Sequence, residues 1–101
     1  MWMKSTDGQW INSEHVIRIY LHDVIEAPEY GALTESRVLG RKALVDLANG
    51  HTMMLAYYAD RGDLADREKQ FEGHLQSAIK AGEPLLDFSA LGYDPLPPEN
   101  L

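Results

Sequence analysis

The chain has 101 residues, 45% of them hydrophobic and 25% charged, with 16 acidic side chains against 9 basic ones and a formal charge of -7. Its length suits one domain, and its apolar share is too ordinary for wholesale disorder. With no cysteine there is no disulfide framework, zinc-thiolate site or thiol nucleophile.

The first elements read as short strands. Residues 2–4 lean apolar, Thr6-Asp7-Gly8 is a turn signal, and 9–12 return as a second strand that Asn12-Ser13-Glu14 then breaks. Residues 16–25 are rich in β-branched and aromatic side chains. Alternation sends Ile17, Ile19 and Leu21 to one face and Arg18, Tyr20 and His22 to the other, the pattern of a half-buried strand. Residues 26–36 show no period, contain Pro28 and Gly31, and read as a loop.

Residues 37–48 and 51–59 follow as two strands around Asn49-Gly50, a strong hairpin signal because both residues tolerate positive φ. Two registers remain open. A two-residue loop sets Ala43, Val45 and Leu47 on the face of Met54, Ala56 and Tyr58. A three-residue loop with Gly50 in a bulge sets them with Met53, Leu55 and Tyr57 instead. Either face is apolar enough to be core.

A helix closes this part of the chain. Asp60 or Asp63 is suited to accept hydrogen bonds from the free first-turn amides, and Asp66 and Glu68 suit the positive end of the helix dipole. Leu64, Phe71, Leu75, Ala78 and Ile79 form an apolar stripe at helical spacing. Gly82 before Glu83-Pro84 is a stop signal, with Lys80 in the last turn. The segment from residue 84 onward holds Leu85, Leu86, Phe88, Leu91, Tyr93 and Leu96, and it carries three acidic groups and no basic one. It is too apolar to serve only solubility, so it packs on its own domain or on a partner.

The expected fold is α+β: an antiparallel meander of four to five strands with one amphipathic helix packed on the sheet, in a domain over 1–83, followed by an apolar, Pro-containing tail over 84–101.

His15, His22, His51 and His74 contain no i,i+4 helical or i,i+2 strand pair that would make a local metal site, and His74 reads as a stripe-edge residue with its polar tip in water. Asp60, Asp63 and Asp66 lack calcium-loop spacing and read better as helix-entry acids. Arg61-Gly62-Asp63 spells an adhesion tripeptide, but its place before a helix makes it the helix entry. No serine sits in a G-x-S-x-G elbow, and no phosphate-cradling glycine motif occurs. The expectation is therefore a protein with no catalytic, cofactor-binding or metal-ligating residues.

Charge speaks to partners. The acidic excess argues against direct contact with nucleic acid, which is gripped through Lys and Arg, and it suits solubility or a basic protein surface. No apolar run approaches a membrane span, and residues 1–10 lack a signal-peptide core, so a cytoplasmic protein without membrane association is expected. Tyr and Trp outnumber Phe, and they dominate binding hot spots. Tyr20, Leu44, Met54 and Tyr58 are the candidates for an apolar patch on the sheet face away from the helix; Asp63, Asp66 and Glu72 are the candidate acidic contacts.

Asp7-Gly8-Gln9-Trp10-Ile11-Asn12, then Val16-Ile17-Arg18-Ile19, then Leu47-Ala48-Asn49-Gly50 and a closing helix resemble, over about residues 4–80, small bacterial domains of the flagellar FlbD (swarming motility) type. The resemblance implies a small β-rich interaction domain. The 26–36 loop and the apolar tail depart from that pattern.

Two functional expectations result. The first is a non-catalytic protein-interaction domain, with homodimerisation as one form of that contact. The second is an acidic inhibitor, such as an immunity protein or a phage anti-defence (anti-CRISPR-like) protein, that covers a basic nucleic-acid-binding surface of its target.

Overall fold

The computed structural model describes residues 1–26 and 37–96. The chain opens with two short strands, β1 (Trp2–Lys4) and β2 (Trp10–Asn12), paired antiparallel. The turn between them is held by Ser5, which is fully buried: its Oγ donates to Asp7 and accepts from the Gln9 amide, while its own amide donates to the Gln9 carbonyl. Gly8, at φ +87°, supplies the left-handed residue that this tight return needs.

A turn of 3-10 helix (Ser13–His15) leads into β3 (Val16–Ile25), β4 (Val38–Leu47) and β5 (Thr52–Ala59), which form an antiparallel meander in the order β3-β4-β5. The loop expected over 26–36 lies outside the described residues except for Glu26, whose amide bonds the Arg37 carbonyl. At the β4–β5 turn the Leu47 amide donates to the His51 carbonyl and Gly50 sits at φ +87°, which is the three-residue connection. Val45 accordingly lies opposite Met53. Within β5, however, the register slips at Leu55, so that Ala43 faces Ala56 and Arg41 faces Tyr58. One bulged residue thus joins both registers: the three-residue-loop pairing near the turn and the two-residue-loop pairing beyond it.

Helix α1 (Leu64–Ala81) ends at Gly82, at φ +67°, where the Gly82 and Glu83 amides return to the Ile79 and Ala78 carbonyls in a Schellman closure. Its start differs from expectation. Asp63 occupies the N-cap position but makes no side-chain capping bond; its carboxylate accepts from the Arg61 amide, and Asp60 accepts from Gly62. Arg61-Gly62-Asp63 is therefore a turn that folds on itself at the helix entry, with Gly62 at φ +84°.

The segment after Gly82 is part of the fold as far as residue 96. Strand β6 (Leu85–Asp87) pairs parallel with β1, giving a second sheet of order β2-β1-β6, and a 3-10 turn (Phe88–Ala90) follows. Among the described residues there are thus six strands in two sheets, against four to five expected in one meander. The extra sheet arises because the sequence around Leu85 and Leu86 supplies a third strand for β1. Met3, Ile11, Ala43, Val45, Leu55, Ala56, Tyr58, Phe71 and Phe88 form one core to which both sheets, the helix and the segment after it contribute. No helix among the described residues is long and apolar enough to cross a membrane.

Candidate protein-interaction surface

Cross-strand register sorts the long sheet into two faces, because residues directly opposite each other share a face. Rows Ile19–Val45–Met53, Leu21–Ala43–Ala56 and Asp23–Arg41–Tyr58 look toward α1, where Arg41 bridges Asp23 and Glu68 at 2.9 and 3.2 Å. Rows Arg18–Asp46–Thr52, Tyr20–Leu44–Met54 and His22–Lys42–Tyr57 look away from it.

Three expected patch residues do meet. Tyr20, Leu44 and Met54 form one transverse row on the face away from α1, all half-buried. The Arg18 guanidinium lies 4.5 Å from the Tyr20 ring centroid, and Asp46 accepts from Arg18, from Thr52 at 2.8 Å and from the Tyr20 hydroxyl at 3.4 Å. The Arg18 and Thr52 hydrogen bonds hold the Asp46 carboxyl below the usual carboxylate range.

Tyr58 does not belong to this patch. The slip at Leu55 turns it toward α1, where it is fully buried in the core beneath the Arg67 guanidinium, 5.7 Å from its ring. Its hydroxyl has no hydrogen-bond partner among the described residues, and burial pushes its pKa up. Tyr57 takes the position on the outer face, 1% exposed, and its hydroxyl donates to the Leu39 carbonyl at 3.3 Å. Gly40 makes room for it: a Cβ there would stand 2.7 Å from the Tyr57 hydroxyl and 2.3 Å from the Tyr58 carbonyl.

The acidic candidates are spread along α1. Asp63 is at the N-cap, Asp66 is exposed in the first turn, and Glu72 is exposed two turns further on. They do not converge on one site, and no group of three or more metal-ligating side chains comes together among the described residues.

His74 is engaged rather than solvated. Its Nδ1 is hydrogen-bonded to the Tyr93 hydroxyl at 2.8 Å, and the two rings meet edge to face with centroids 5.9 Å apart. Tyr93 also packs against Phe71 and Phe88, and burial pushes its pKa up to about 12.

Two exposed apolar features escaped the sequence reading. On the outer face of the small sheet, Trp2 and Trp10 are 50% and 54% exposed, with Lys4 5.6 Å over the Trp10 ring and Leu85 beside Trp2. Period-two alternation around the buried pair Met3 and Ile11 was the available signal.

The second feature lies beside α1. A groove of about 440 Å³ between α1 and the β1–β3 side of the molecule is lined by Met3, Val16, Ile19, Leu75, Ala78 and Ile79 among others. A neighbouring groove of about 330 Å³ continues it past Leu21, Phe71, Glu68 and Glu72 and shares Ile19 and Leu75 with the first. Ile79 is 67% exposed although its spacing from Phe71 and Leu75 placed it in the core stripe, and Ile17 is 69% exposed. The reason is the placement of α1. The buried sheet residues beneath it come from β4 and β5, and β3 offers none on that side. The expected half-buried strand is therefore a rim.

Comparison with family models, with curated proteins and with solved structures gives no match.

Proposed function

We propose that this chain is a small non-catalytic interaction domain that acts by contact with another protein, and that the groove between α1 and β3 is the contact surface. The observation that carries the reading is a continuous apolar groove bordered by Ile19 of the ten-residue outer strand and by the exposed Ile79 of α1. Large exposed apolar patches on small domains mark contact sites, and a strand edge offers a partner both backbone hydrogen bonds and side-chain pockets. The rim carries Glu72 and Glu68, the latter already bridged to Arg41 within the chain.

The test is affinity capture with mass spectrometry, run in parallel with wild type and with Ile19→Lys/Ile79→Lys. A partner retained by wild type and lost by the double variant supports the groove. Identical recovery of every partner by both proteins contradicts it.

A second reading has its own observation: Asp63, Asp66 and Glu72 enter no ion pair among the described residues, so their charge is available to a basic surface. In that reading the chain is an acidic inhibitor of a nucleic-acid-binding protein. Its complex weakens steeply between low and high salt and is disrupted by Asp63→Asn/Asp66→Asn/Glu72→Gln. Salt-independent binding contradicts it.

A further inference from the structure

The long sheet has two outer strands, and the chain treats them differently. Along β5 the outward backbone groups are used: the Thr6 amide donates to the Leu55 carbonyl, the Asp94 amide to the Tyr57 carbonyl, and the Ala59 amide to the Asp94 carboxylate. Along β3 no described residue other than those of β4 bonds the backbone of 17–25. Proteins ordinarily blunt such edges with lysines, prolines or very short strands, because an open edge templates pairing. Here the strand bulges at Ile17, but from Arg18 to Val24 its pairing is regular, and the edge contains neither lysine nor proline and exposes Ile17, Ile19 and Ile25.

We infer that β3 pairs antiparallel with β3 of a second copy of this chain, making one six-stranded sheet. The inference rests on the reading of the α1–β3 groove as a contact surface, and it names the occupant. Charge argues for self-pairing at this edge. A chain of net charge -7 repels its own copy most where acid accumulates, yet β3 carries Arg18 against Asp23, and both are already ion-paired within the chain.

Symmetry then limits the register. A two-fold axis normal to the sheet keeps each face continuous, so a residue can meet only residues of its own face. Centring on Tyr20 would set Arg18 opposite His22 of the second copy. Centring on Leu21 keeps the Arg18 guanidinium clear of the His22 ring: Leu21 meets itself, Arg18 meets Val24, Ile19 meets Asp23 and Tyr20 meets His22. The Leu21-centred register also brings Leu21 and Ile19 of each copy to the mouth of the other's groove.

Area sets the strength. Ten residues at about 3.4 Å each form an edge roughly 34 Å long and about 10 Å thick, so the strands alone bury on the order of 700 Å² over both copies. That falls short of the ~1,200 Å² of a stable complex, so the pairing needs added contact from the apolar groove walls. The pairing is therefore concentration-dependent.

Sedimentation equilibrium of the full chain from micromolar to millimolar concentration tests this, with amide hydrogen exchange as the second readout. The expected result is a mass rising from 11.4 kDa toward twice that value. Alternate amides of 18–24 should gain protection over the same range. Ile17→Lys/Ile19→Lys should keep the monomer mass with an unchanged circular dichroism spectrum, and Trp10→Ala should still dimerise. A monomer at every concentration overturns the pairing but leaves the groove reading to its own capture experiment. A dimer that persists in the double variant, or forms without protection in β3, overturns it as well.

Discussion

The two flanks of α1 are built from similar material and finished differently. On the β5 flank, Phe71, Phe88 and Tyr93 pack ring against ring, His74 closes on the Tyr93 hydroxyl, and Asp94 gathers Arg61, Arg67 and the Ala59 amide. On the β3 flank, Ile19, Leu75 and Ile79 border an open groove. The difference is made by the segment from 84 to 94, which is spent on the first flank. What it teaches is that exposure on the β3 side is not for want of apolar residues; the chain has them there and leaves them in reach.

The comparison breaks first at its sealed side. Phe88→Ala removes a fully buried ring that meets Phe71 and Tyr93, and it should cost about 3–5 kcal/mol, read by urea denaturation. Asp94→Ala leaves the Arg67 guanidinium and the Ala59 amide without their shared acceptor, for an expected loss of about 1–3 kcal/mol. By contrast, Ile19→Lys on the open side should leave folding stability within about 0.5 kcal/mol while abolishing association.

Alkaline pH separates the flanks again. Tyr93 ionises near pH 10 in an unfolded chain and is pushed up to about 12 by burial, so its contribution is complete below about pH 10 and is lost as pH rises toward 12. Thermal melting should drop across that window, and Tyr93→Phe should flatten the drop. The smallest effect concerns Tyr58, whose buried hydroxyl lacks a partner. Tyr58→Phe should be neutral or stabilising by about 1 kcal/mol, because it deletes an unmatched polar group and keeps the ring. A loss well above that would show the hydroxyl to be bonded.

Local chemistry made much of this legible in advance. Gly8, Gly50 and Gly82 mark the turns and the helix stop where positive φ is required, and the strands of the meander and the helix lie close to where alternation and periodicity put them. The parallel pairing of Leu85–Asp87 with Trp2–Lys4 was not legible, since it joins the two ends of the described chain and leaves no local signature. Nor was the bulge at Leu55, one slipped residue that exchanged Tyr57 and Tyr58 and removed Tyr58 from the expected patch. Tyr20, Leu44 and Met54 do share one face, because that placement depends only on alternation within each stretch. Ile79 was misplaced because helical spacing tells which residues share a stripe, not how far the partner surface extends beneath it.

Residue-resolved hydrogen exchange of the dilute chain tests the central claim most directly, by comparing outward-facing amides of the two outer strands. The account predicts that Ala59 on β5 is protected while the outward amides of 18–24 on β3 exchange at rates near those of open loops, slowing only as the chain is concentrated or bound. Equal and concentration-independent protection along both strands would contradict it, because β3 would then be covered from within the chain.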